Sequence, residues 1–197
     1  MHKQNAAESY SSLMKNILFF GDSLTAGYGL VDARMESCPA LIQRKIDTTG
    51  LTYHVINGGL SGDTSAGGLS RLDYWLNRPI DIFILELGIN DMIRRIPPAK
   101  IYQDLEAIVL KVKAKYPQIK LVLMGMELPA FIPGATTAEF RAIYRKLADA
   151  YHMTFVPFYL DGVAGQRHLN IPDGLHPSAA GYRVIADKIW PVIEPLL

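Results

Sequence analysis

Asp173 and His176 stand with two residues between them in Asp173-Gly174-Leu175-His176-Pro177. At that spacing, with a glycine to permit a tight turn, a carboxylate can hold one imidazole nitrogen while the other points outward. An imidazole held this way accepts a proton from a hydroxyl, and a serine is a poor nucleophile until it has such a neighbour. Ser23, in Gly21-Asp22-Ser23-Leu24, supplies the hydroxyl. The chemistry these three residue types support is acyl transfer, which also needs hydrogen-bond donors aimed at the oxygen where negative charge develops. The backbone amides of Ser23 and Gly62 and the side-chain amide of Asn90 are the candidate donors. Each residue also has a plainer reading. Ser23 can cap a helix, Asp173 can cap the last helix beside a surface His176, Gly62 can be a turn glycine, and Asn90 can sit in an Asx turn. The acyl-transfer reading comes from their occurring together. Asp22, Asp63 and Asp91 read as braces that accept backbone N–H bonds in the same loops.

These residues are far apart in sequence, so the elements between them must bring them together. Ile17 to Phe20 is an unbroken apolar run, as in a buried parallel strand, and ends at Gly21-Asp22-Ser23. Cys38 to Ile46 has helical spacing, with Pro39 suited to a first turn. Thr52 to Asn57 is rich in strand formers and ends in Gly58-Gly59. A helix follows the loop Leu60 to Thr64, capped by Asp63 or Thr64, with Leu69, Leu72 and Leu76 inward and Arg71 and Arg78 toward solvent. Ile80 to Leu87 is a third strand, giving way to Gly88-Ile89-Asn90-Asp91 as a loop; Pro98 to Tyr116 is an amphipathic helix. Leu121 to Met124, a loop over Met126 to Thr136, a helix over 137–151 and a strand over Thr154 to Phe158 come next. Asp161 to Asn170 reads as loop, and Ser178 to Ile193 as the closing helix. Strands alternating with helices predict a three-layer α/β/α domain with a parallel five-stranded sheet in a flavodoxin-like order. Right-handed crossovers then place the four polar loops on one edge. Met124, Met126 and Phe131 read as the lining of an acyl channel near that edge.

The length of 197 residues fits one domain over 14–197, preceded by a polar extension over 1–13 that is expected to be poorly ordered. A net charge of +1, from 20 Lys and Arg against 19 Asp and Glu, gives no electrostatic reason to expect nucleic acid as a partner. A small neutral or amphiphilic ligand fits better, with the protein itself a monomer or small homo-oligomer. The single cysteine, Cys38, excludes an intramolecular disulfide, and the scattered histidines predict no metal site. The glycines from 58 to 68 match no nucleotide-binding pattern, so no cofactor is expected. No stretch has the length of a membrane span, which predicts no stable membrane insertion. As the sequence stands the expected compartment is the cytoplasm; the alternative is the periplasm or secretion, with an export signal already removed.

Four blocks carry a resemblance: Gly21-Asp22-Ser23-Leu24, Ser61-Gly62-Asp63-Thr64, Gly88-Ile89-Asn90-Asp91 and Asp173-Gly174-Leu175-His176-Pro177. In this order the chain resembles the GDSL esterase/lipase family, the SGNH hydrolases, and within it the bacterial thioesterase I and arylesterase branch. The resemblance implies the SGNH hydrolase fold, Ser23 as nucleophile, Asp173 and His176 as its partners, and an oxyanion hole of Ser23, Gly62 and Asn90. It implies a small acyl ester or thioester as substrate, including lysophospholipids. Leu128-Pro129-Ala130 adds to the likeness. Two departures bear on acyl-chain preference: Ile89 stands where those relatives often carry glycine, and Cys38 where an aromatic residue before the proline is common. Ile89, Leu128 and Phe131 are therefore the expected substrate-binding residues. Alternative functions are a carbohydrate O-deacetylase using the same residues and a non-catalytic flavodoxin-like binding module.

Overall fold

Apolar runs with no polar alternation build the middle of the sheet. β1 (Lys15–Gly21), β3 (Ile82–Glu86) and β4 (Lys120–Met124) bury almost every side chain, as expected for parallel strands covered on both faces. The computed structural model describes residues 14–127 and 135–197, with backbone alone at 135 and 136. β2 (Tyr53–Gly59) and β5 (Thr154–Val156) complete one sheet in the order β2-β1-β3-β4-β5, with every neighbouring pair parallel. This is the doubly wound flavodoxin-like order. The chain leaves β1 toward β2 on one side and returns to β3 on the other, so a crevice opens past the carboxyl ends of β1 and β3.

Short helices follow the strands at that edge: α1 (Ser23–Ala26) after β1, then α2 (Ala33–Glu36) and α3 (Cys38–Asp47). α4 (Ser65–Trp75) follows β2, and α5 (Ile89–Ile93) follows β3. The longer helices α6 (Pro98–Lys115), α7 (Ala135–Tyr151) and α8 (Ala179–Ile193) cover the faces. α6 turns Ile101, Leu105, Ile108 and Val112 into the core, the side its spacing predicts. Among the described residues, no helix is long and apolar enough to cross a membrane.

β2 ends in Gly58 and Gly59, as expected, and the absent side chains let the strand end lie against α1; a Cβ on Gly59 would fall 2.2 Å from Ala26 N. Several local expectations need correction. Gly88 to Asp91 is not all loop, since α5 begins at Ile89. A 3₁₀ turn, Arg167–Leu169, lies within the segment expected to be loop. β5 ends at Val156, before Phe158. The loop expected over Met126 to Thr136 lies largely outside the described residues, as does the extension over 1–13.

Candidate active site

Ser23 is presented by the turn from β1 into α1. Asp22 caps that helix, its Oδ1 accepting the Leu24 N–H at 3.0 Å, and Gly27 closes it in the left-handed conformation. The first amides of a helix have no intrahelical acceptor. Accordingly, the Ser23 N–H has no acceptor among the described residues, and neither does the Gly62 N–H. Gly62 has φ 79°, which a side chain would strain, and this conformation turns the loop after β2 without a Cβ in the crevice.

The Asp173 to His176 turn arrives from the far end of the chain. It is anchored by an antiparallel bridge between Asn170 and Pro177, by Ile171 N–H to His176 O at 2.9 Å, and by Gly174 N–H to Ile171 O at 3.0 Å. His176 Nε2 lies 2.9 Å from Ser23 Oγ and its Nδ1 lies 2.6 Å from Asp173 Oδ2. The other Asp173 oxygen accepts the N–H groups of Leu175 and His176, at 2.9 and 3.0 Å. Desolvation works to raise the pKa of Asp173, yet these two backbone bonds and the His176 ring outweigh it, and the carboxyl lies below the ordinary carboxylate value. It is therefore held as an anion beside the imidazole. The ring of Tyr28 covers His176, with centroids 4.7 Å apart and planes tilted by 49°.

Asn90 sits in the first turn of α5, and its amide nitrogen donates to Asp22 Oδ2 and to Asp63 O, both at 2.9 Å. An amide nitrogen has two hydrogens, so both are engaged. Asn90 thus links the Ser23 loop to the Gly62 loop. Ile89 is half-buried beside it. The remaining substrate candidates, Leu128 and Phe131, lie outside the described residues. The three bracing acids behave as their loop positions suggest. Asp63 accepts the Thr64 N–H, and Asp91 accepts both the N–H and the hydroxyl of Ser65, at 2.8 and 2.7 Å.

Besides Tyr28, four residues escaped sequence reasoning. Arg71 does not face solvent: its side chain is 18% exposed and reaches Asp63, Gly58 and Gly21. Arg78 is half-buried and stacks over Tyr74 and Trp75. Arg94 donates to the Gly62 carbonyl at 2.8 Å. Glu86, fully buried at the end of β3, accepts the Thr25 hydroxyl at 2.7 Å and the Asp22 N–H at 3.3 Å. Burial and the charge of Asp22 push its carboxyl well above the ordinary range. Burial first, and then the charge of Asp63, also push Asp22 from an ordinary 3.8 to about 7, against the opposing Leu24 N–H bond. Of the four, Glu86 alone had a visible signal, a carboxylate inside an otherwise apolar strand run.

Among the described residues no cluster of three or more His, Cys, Asp or Glu could hold a metal ion. What the arrangement offers is a hydroxyl, an imidazole and an anion in a chain, beside two unclaimed backbone donors.

Residues 19–184 match the model of the GDSL-like lipase/acylhydrolase family. The chain is 35% identical over 185 residues to esterase TesA of Pseudomonas aeruginosa, covering 93% of this chain and 90% of that one. It is 34% identical over 182 residues to thioesterase 1/protease 1/lysophospholipase L1 of Escherichia coli (strain K12), covering 92% of this chain and 84% of the relative. Its fold superposes on a crystal structure of TesA with a TM-score of 0.87 at 34% identity, covering 93% of this chain and all of that one.

Proposed function

The chain belongs to the GDSL-like lipase/acylhydrolase family, and from that premise we propose that it hydrolyses small acyl esters and thioesters at Ser23, with His176 as base and Asp173 as its orienting anion. It is a serine esterase by family and by its esterase and thioesterase relatives. The observation that carries the residue roles is the continuous run Ser23 Oγ, His176 Nε2, His176 Nδ1, Asp173 Oδ2 at 2.9 and 2.6 Å.

In the first half-reaction His176 Nε2 takes the Ser23 proton as Oγ bonds to the acyl carbon, and the carbonyl electron pair moves onto its oxygen. The Ser23 and Gly62 N–H groups meet that oxyanion. Asn90 adds a third donor by sharing a hydrogen it otherwise gives to Asp22 or Asp63. Collapse breaks the bond to the leaving alcohol or thiol, which takes the proton from His176. Water then repeats the sequence on the acyl-enzyme and releases the acid. Asp173 stays ionised throughout and steadies the imidazolium.

The test is Ser23→Ala. Hydrolysis of short p-nitrophenyl esters should vanish and fluorophosphonate labelling with it, while circular dichroism and thermal unfolding stay close to the parent. Near wild-type turnover in that variant would overturn the assignment.

A further inference from the structure

We propose that Arg71 is a positioning residue for the reaction, resting on the roles given above to Ser23 and Gly62: its guanidinium fastens the ends of β1 and β2 to the Gly62 loop, so that nucleophile and oxyanion donor face one carbonyl. Three of its five donors are spent on three different segments. Nε donates to Asp63 Oδ2 at 2.6 Å, Nη1 to Gly58 O at 2.8 Å and Nη2 to Gly21 O at 2.9 Å. Gly21 lies two residues before Ser23, and Asp63 directly follows Gly62. The fork lies over Phe20, with Cζ 4.1 Å from the ring centroid.

Stability alone does not call for this arrangement. α4 already buries Leu72 and Gly68 against the sheet, and an apolar side chain at 71 would avoid the cost of desolvating a cation. What only the planar fork provides is fixed geometry among three acceptors at once, which a lysine cannot reproduce. Asn90 spans the same two loops, through Asp22 and Asp63. Its hydrogens, however, are drawn on when the oxyanion forms. Those of Arg71 are not, so Arg71 keeps the loops in register while Asn90 shifts its bonds.

The experiment compares turnover per active site. Wild-type sites are first titrated with a fluorophosphonate; failure there would fall on the Ser23 assignment and not on Arg71. In folded Arg71→Lys the proposal expects kcat per titrated site to drop roughly a hundredfold, the scale of a small misplacement of reacting groups. KM for a short p-nitrophenyl ester should move by no more than about threefold, because ground-state binding is not what is lost. In Arg71→Ala, methylguanidinium should restore turnover and methylammonium should not. The proposal is overturned if Arg71→Lys works within about threefold of wild type per site, if only the number of titratable sites falls, or if methylguanidinium leaves folded Arg71→Ala unchanged. Should Arg71→Ala fail to fold, Arg71→Lys and Arg71→Gln decide by the same per-site rate.

Discussion

His176 makes three contacts that define its work: the Asp173 carboxylate, the Ser23 hydroxyl and the face of Tyr28. The Tyr28 ring packs against the imidazole with centroids 4.7 Å apart and so holds it in line between Ser23 and Asp173. Tyr28→Ala should therefore lower kcat by roughly tenfold, whereas Tyr28→Phe should keep most of the rate because the ring and not the hydroxyl makes the contact. Steady-state kinetics on one ester decides it, and equal losses in both variants would assign the effect to the hydroxyl. Asp173→Asn should cost on the order of a thousandfold or more, since an amide leaves the imidazole in the wrong tautomer. At this scale the sequence was legible wherever residue type and spacing already met a chemical need, as with Asp173, His176 and Ser23. Tyr28 and Arg71 were not legible. Both act through partners brought close by folding, and each fits an ordinary surface position when read along the chain.

The strands are the elements the sequence displays best, because a buried parallel strand has to be apolar throughout, as Ile17 to Phe20 and Ile82 to Leu85 are. Their ends were less visible. β5 stops at Val156, short of the expected Phe158, whereas β2 ends in two glycines, as expected, whose value lies in what they let approach: Gly59 sits so near α1 that a Cβ would press on Ala26 N at 2.2 Å and Ala26 Cα at 2.7 Å. Both obstacles are backbone, so neither can rotate away. Gly59→Ala should thus destabilise the fold by roughly 1–3 kcal/mol, the range of an overpacked site, and should lower activity because α1 carries Ser23. Urea unfolding and ester turnover measure the two effects, and an unchanged unfolding midpoint would contradict the close approach. The start of α5 at Ile89 was hidden for a related reason, since Gly-Ile-Asn-Asp has turn composition and only its packing against the Ser65 end of α4, through Asp91, makes it helical.

Over the whole molecule, a set of buried acids lies beneath the catalytic edge. Asp22 is pushed up to about 7, Glu86 well above its ordinary value, and Asp91 is raised as well, in each case first by burial. Raised acids bind protons more tightly folded than unfolded, so their contribution is complete below the unfolded value and is lost as pH climbs through the folded one. For Asp22 that window runs from its ordinary 3.8 to about 7. Stability should therefore decline across this range, by on the order of a few kcal/mol at most, and Glu86→Gln should flatten the profile. Chemical denaturation in a pH series tests the sign, and a midpoint that rises toward neutrality would refute it. The order of events along the chain also follows from the bridge between the two ends. Ser23 and His176 are 153 positions apart, whereas Asp173 and His176 share one small turn. Under the proposed roles, Ser23 is made long before the residue that would serve as its base, so a chain lacking that turn is expected to be inactive until its late segment folds back onto its beginning.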